Sequence, residues 1–302
     1  MDSCMFDSYP SRCGNTAQIF PRTDPVVYSP EDEWFKGDGP LTEKEIRFFD
    51  KNGFLQLEAL LSDDEVKMLA SEADKLRNDP LLLSREETIL ERSSREVRSI
   101  FDAHHFSTGF NTLLRDPRIT NVVSYLLADK LYLHQARLNY KPGFQGKEFY
   151  WHSDFETWHV EDGMPQMRAI SVSISITDNY TCNGPVMVIP GSHRRFLSCT
   201  GLTPEENYKS SLREQRYGVP DEDSIRSLVD ANGIAEIAGK AGSVLFFDSN
   251  LLHGSASNIT PYARHNLFFV YNAITNQLRE PYCLQDPRPE YIAHRKNIEL
   301  VG

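Results

Sequence analysis

From 167 to 177, apolar and hydroxylated positions alternate: Ile170, Val172, Ile174 and Ile176 fall on one face of an extended strand, Ser171, Ser173, Ser175 and Thr177 on the other. The apolar face can pack on a second layer while the small hydroxylated face borders a ligand cavity. Shorter apolar runs at 185–189, 234–237, 243–247 and 265–271 predict further strands. Helix signals come earlier. Thr42 with Glu45, and Ser62 with Glu65, have the capping-box spacing, and both boxes lead into apolar residues at helical intervals, such as Val66, Leu69 and Ala70. Between them, 54–57 follows Gly53 and reads as a short strand. The polar stretch 84–98 fits a helix or a mobile loop, and helical residues are expected within 204–215. Many short strands after a helical start predict a mainly β fold with flanking helices on a double-layered core.

A chain of 302 residues can bury a substantial core as a single domain, 1–302. The expected order is an extended arm over 1–40, a mainly helical part over 41–130, and a strand-rich core with inserted helices over 131–302. Lys and Arg total 32 against 43 Asp and Glu, a net charge of −11, and no basic run stands out, which argues against nucleic acid as a partner. An ordinary solvated surface explains the acidity, although solubility in a salt-stressed cytoplasm does too. The cysteines, Cys4, Cys13, Cys182, Cys199 and Cys283, are odd in number and form no Cys-x-x-Cys pair, so neither a zinc ribbon nor a disulfide framework is expected. No apolar stretch approaches membrane-spanning length, and the start lacks a basic segment followed by an apolar one. No membrane partner is expected, and a reduced cytoplasm is the simplest compartment.

The chemistry is concentrated in FYWHSDFETWH, 149–159, which sets His152 and Asp154 two residues apart. In extended backbone such residues project to the same face, so an imidazole and a carboxylate can meet at one metal ion. His253 supplies a third ligand, and two histidines with one carboxylate form the facial set that leaves positions open in non-haem Fe(II) oxygenases. Taken alone, a His-x-Asp pair also fits surface hydrogen bonding or helix capping. Arg264 changes the balance: it lies eleven residues after His253 and opens an apolar segment. A buried cation needs a partner, and a guanidinium fork suits the carboxylate of an organic acid beside the metal, with a structural ion pair as the alternative. His159, seven residues after His152, reads as a packing or surface histidine, and His104, His105 and His193 have no metal spacing.

The order His-x-Asp, distant His, then Arg resembles the phytanoyl-CoA dioxygenase superfamily of Fe(II)/2-oxoglutarate oxygenases. Segments 149–169, 183–193, 217–221 and 242–272 resemble the ectoine hydroxylases within it, and the likeness runs from Pro21 to Arg295. The resemblance implies a double-stranded β-helix, the cupin-like jelly roll. It also implies Fe(II) on His152, Asp154 and His253, with 2-oxoglutarate and O2 as cosubstrates. Arg264 and Ser255 would hold the distal carboxylate of 2-oxoglutarate, and Asn139 and Phe149 would border it. Ectoine, a cyclic zwitterion, calls for an aromatic face and a few polar groups. Trp158 and Phe268 are the aromatic choices, with Gln135, Thr157 and Ser171 as polar contacts; strand register decides between Phe268 and Phe269. The implied reaction is hydroxylation of ectoine to 5-hydroxyectoine with release of succinate and CO2, in compatible-solute synthesis by a homodimer. The same chemistry on proline, or a metal-binding barrel that senses a ligand without turnover, are the competing readings. A zinc hydrolase is weaker, because no general base is evident.

Overall fold

The computed structural model describes residues 7–34, 39–92, 94–296 and 298–302. Both expected capping boxes form. Thr42 caps α1 (Glu43–Asn52) and Ser62 caps α2 (Asp63–Arg77), each bonded reciprocally with the Glu three residues on. Gly53 ends α1 with φ +81, a left-handed conformation that an L side chain resists. Around them run β1 (Ile19–Pro21), β2 (Phe54–Leu57), α3 (Pro80–Leu83), β3 (Thr88–Leu90), β4 (Val97–Phe101), α4 (Ala103–Phe106), α5 (Thr108–Leu114) and α6 (Pro117–Leu127). The second half contains β5 (Leu131–Lys141), β6 (Phe149–His152), α7 (Asp154–Asp162), β7 (Ala169–Ser175), β8 (Val186–Val188), β9 (Arg195–Leu197) and α8 (Tyr208–Ser211). It closes with α9 (Glu222–Asn232), β10 (Ala235–Ile237), β11 (Val244–Asp248), β12 (His253–Ser255), β13 (Arg264–Ala273) and β14 (Leu300–Val301).

Two antiparallel sheets form the jelly roll. The larger runs β2-β11-β7-β13-β5-β4-β3 with β14 against β5, and the smaller runs β10-β8-β12-β6. The alternation in β7 sorts the layers. Ile170, Val172 and Ile174 join Phe269 and Tyr271 of β13 in the core under Ile46, Phe49, Leu69, Phe110 and Val123 of the helices. Large side chains buried to this degree contribute about 1.5–3 kcal/mol each. On the opposite face Phe54, Leu245, Phe247 and Phe268 meet Val186, Val188 and Ile237 of the smaller sheet. Ser173, also on that side, accepts a hydrogen bond from Asn266 at 2.9 Å.

Several local expectations change. The stretch 84–98 is neither helix nor plain loop: it contains β3 and the start of β4, a hairpin that extends the larger sheet through β4–β5 pairing. Every residue of β4 is buried, so no alternation marks it as a strand. The first half therefore supplies β2, β3 and β4 to the sheet, not helices alone. Within 204–215 only the short α8 forms, and the longer α9 follows it. In the arm, β1 pairs with β9, and Arg12 reaches α7, donating to Glu156 at 3.0 and 2.7 Å and to Glu161 at 2.6 Å. Cys13 is disulfide-bonded, a bridge the cysteine spacing does not announce; Cys182, Cys199 and Cys283 are free. Cys4 lies outside the described residues.

Candidate active site

His152 ends β6 and His253 begins β12, and these two residues face each other directly in the strand register. Their rings lie 4.3 Å apart. Each Nδ1 donates to a backbone carbonyl, His152 to Tyr150 at 2.7 Å and His253 to Leu251 at 2.9 Å. That fixes the tautomer and leaves both Nε2 lone pairs for a metal. Asp154 does not arrive by strand alternation. The strand stops at His152, Ser153 caps the next helix through a bond from the Glu156 amide, and Asp154 is the first residue of α7. Its Oδ1 lies 3.6 Å from Nε2 of His152 and 3.8 Å from Nε2 of His253.

All three donor atoms fall within 4.8 Å of one another. Burial opposes ionisation of Asp154, but His253, His152 and Arg137 overcome it and hold the carboxyl below its ordinary range. Burial and the neighbouring His152 push His253 down to about 4, so the imidazole is neutral and able to ligate. Two imidazoles and one carboxylate suit iron(II), and the donor set leaves room for oxygen ligands.

The expected cosubstrate residues lie around a buried cation. Arg264, the first residue of β13, is 3% exposed, and among the described residues its Nε and Nη1 have no partner. Burial alone lowers it to about 10. Asn139 accepts from Ser99 at 2.8 Å. Ser255 accepts from Lys141 at 2.6 Å, and the guanidinium of Arg98 covers the Phe149 ring at 3.8 Å. Lys141 joins this group although the sequence reading missed it. A lysine within a buried strand is the same signal that marks Arg264.

A cleft of about 230 Å³ reaches two of the metal ligands, His152 and Asp154, with Gln135, Phe149, Thr157 and Trp158 among its other walls. Gln135 donates its Nε2 to the Ile292 carbonyl at 2.7 Å, which turns Oε1 into the free acceptor end. Trp158 and His134 form a T-shaped pair with ring centroids 5.0 Å apart. Ser171 and Phe268 are not among these walls. Ser171 donates instead to Oδ2 of Asp154, and Phe268 lies in the apolar layer between the sheets with Arg137 over its ring at 5.2 Å. Phe269 faces away from this layer, into the helix-covered core. His159, within α7, packs against the arm, bonded to Asp7 at 2.8 Å. Arg137, which shares the polar face of its strand with Gln135 and Asn139, also borders the cleft, as do Arg98 and Arg288, and none of the three carries an expected role.

Residues 49–266 match the family described as phytanoyl-CoA dioxygenase. An ectoine dioxygenase of Sphingopyxis alaskensis is 50% identical over 291 residues, 96% of this chain and 94% of that one. One from Bordetella bronchiseptica is 50% identical over 299 residues, 98% of this chain and 94% of that one. Among solved structures, EctD from S. alaskensis with 2-oxoglutarate and 5-hydroxyectoine has a TM-score of 0.86 at 46% identity, covering 96% of this chain and 95% of that one. The carbocyclase SnoK, at 17% identity, shares the fold with a TM-score of 0.65 over 87% of this chain and 97% of its own. The chain thus belongs to the phytanoyl-CoA dioxygenase family, and its near full-length relatives there are ectoine dioxygenases.

Proposed function

We propose that this protein hydroxylates ectoine to 5-hydroxyectoine at the expense of O2 and 2-oxoglutarate, which leaves as succinate and CO2. One atom of O2 enters the new hydroxyl and the other enters succinate. The observation that carries the reading is the pairing of a metal-ready His152–Asp154–His253 set with an unpartnered buried Arg264. Their likeness to a structure that holds 2-oxoglutarate and 5-hydroxyectoine supplies the substrate class.

His152, Asp154 and His253 would hold iron(II), which when bound supplies the O2-dependent oxidation. The remaining work belongs to the chain. Arg264 offers a fork for the distal carboxylate, with Ser255, Asn139 and Phe149 around it. Gln135 presents a carbonyl oxygen to an amidinium N–H, Trp158 an aromatic face to its charge, and Thr157 a hydroxyl. Ser171 and Phe268 act from behind these groups. The two histidines are less than a tenth exposed, so water is kept from the metal's surroundings once the cleft is filled.

The reading extends to one catalytic domain, a homodimer and a cytoplasmic location. The dimer rests on the resemblance alone, and sedimentation measures it. No helix among the described residues is long and apolar enough to cross a membrane. Three free thiols fit a reducing compartment, and the bridge at Cys13 argues the other way.

The decisive experiment is anaerobic reconstitution with Fe(II), then addition of 2-oxoglutarate, O2 and ectoine, with proline as control and mass spectrometry of products. A hydroxylated ectoine with matching succinate is expected. Succinate without hydroxylated ectoine keeps the oxygenase and removes the substrate, and neither product overturns both.

A further inference from the structure

Arg12, in the arm, is 4% exposed, and its φ of +57 lies in the left-handed region that an arginine rarely adopts. Its amide donates to the Cys199 carbonyl at 2.9 Å, which holds the backbone there. A guanidinium has five N–H donors, and here all five are engaged. Nε and Nη2 donate to the two oxygens of Glu156 at 3.0 and 2.7 Å, and Nη1 donates to Glu161 Oε1 at 2.6 Å and to Thr203 Oγ1 at 3.1 Å. The fifth, on Nη2, reaches Thr157 Oγ1 at 3.4 Å. Arg12 is not itself a wall of the cleft, but Thr157 is, together with Trp158 and Glu161 of the same helix.

A second part of the cleft is tied to the same point. Asn207, which also lines it, donates to Glu161 Oε1 at 2.8 Å. Gly218 follows Tyr217, another wall, and packs against the guanidinium: a Cβ there would stand 2.5 Å from Arg12 Nη2, 2.6 Å from Glu156 Oε2 and 3.0 Å from Thr157 Oγ1. Only glycine permits this approach, which gives the 217–221 block its place beside the site. Because Thr157 Oγ1 accepts from Arg12, the Thr157 hydrogen is left to donate into the cleft. A hydroxyl that accepts from a cation is also the stronger donor. We propose that Arg12 is a positioning residue for the substrate: through Nη2 it fixes Thr157 as a donor to a carboxylate oxygen of the zwitterion. Its bonds to Glu156, Glu161 and Thr203 hold the guanidinium in place for that contact. The proposal rests on the ectoine reading given above.

The test compares iron-loaded wild type with Arg12→Lys, Gly218→Ala, Thr157→Val and the Arg12→Lys/Thr157→Val double variant. Lysine keeps the charge opposite Glu156 and Glu161 but lacks the fork, so the helix stays paired while Thr157 is released. Gly218→Ala places a methyl group against both Nη2 and Thr157 and leaves every charge paired, so it decides the matter if Arg12→Lys does not fold. Alanine also carries strain at φ +71, which the melting temperature reads separately. Each single change at 12 or 218 is expected to raise the KM for ectoine about tenfold and to release succinate in excess of hydroxylated product. Affinities for iron and 2-oxoglutarate stay within twofold of wild type. In the Thr157→Val background, Arg12→Lys adds little further loss. An ectoine KM within twofold of wild type, full additivity in the double variant, or an equal loss of iron or 2-oxoglutarate affinity overturns the role of Arg12. A wild type that forms succinate without hydroxylated ectoine overturns the ectoine reading instead.

Discussion

The Ser171 hydroxyl donates to Oδ2 of Asp154 at 3.0 Å. Oδ1, the oxygen nearest both imidazoles, is thereby left to face the metal position. Bonds of this kind to a ligand commonly change metal affinity by about 10–100-fold. Ser171→Ala should therefore weaken iron binding by about tenfold or more, with little change in KM for ectoine at saturating iron. Iron titration checks this, and a raised ectoine KM at unaltered iron affinity returns Ser171 to the substrate side.

Asp154→Ala and His253→Ala should each remove iron and abolish succinate formation while the fold persists. Metal content and circular dichroism read the two separately. In wild type, a chelator should stop turnover, and Fe(II) should restore it. Iron-free Asp154→Ala that still hydroxylates would sink the ligand assignment.

The unpartnered guanidinium of Arg264 opposes stability in the absence of ligand. An apolar replacement removes the cost of burying that charge, so Arg264→Met should stabilise the apo protein by about 1–2 kcal/mol. The same variant should lose the thermal stabilisation that 2-oxoglutarate gives wild type. Melting curves with and without 2-oxoglutarate test both halves, and a destabilised apo variant would show that Arg264 has a structural partner.

Asp162, the last residue of α7, receives both Nε and Nη2 of Arg288 at 2.7 and 2.6 Å. Burial would raise its carboxyl, but Arg288 and His134 bring it down to about 2. A carboxyl lowered on folding stabilises above its unfolded value, roughly 3.9, and loses that contribution as pH falls through the folded value. Wild type should therefore lose about 2 kcal/mol between pH 4 and pH 2 from this pair. Asp162→Asn should flatten that interval in denaturant titrations, and an equal slope in the variant would assign acid sensitivity elsewhere.

The sequence exposed the strands that alternate and the helices that carry boxes. β7 and the two capped helices are legible because each has one buried and one exposed or polar side. β4 was missed because it is buried on both sides. The helix at Asp154 was missed although its start was written in the chain: Ser153 with Glu156 has capping spacing and Gly163 ends the helix with φ +75. The aromatic run suggested a strand and concealed these signs. α9 carries equivalent marks, with Asp221 as its cap. Lys141 escaped because one cation at the end of an apolar strand looks like an exposed terminus until its pairing with Arg264 is known.

Arg12 and Glu156 are separated by 144 positions in the chain, yet they share two hydrogen bonds at the foot of the helix that begins with Asp154. The opposite ligand, His253, joins from another strand later still. Contacts of such separation form only after the intervening loops close, which delays them relative to local helices. During synthesis the arm emerges first and must wait for the helix it clasps. Iron therefore meets a finished site only after His253 and the arm are both in place, and removal of the residues up to Arg12 would keep the sheets but lose the ion pairs that fasten the helix begun by Asp154.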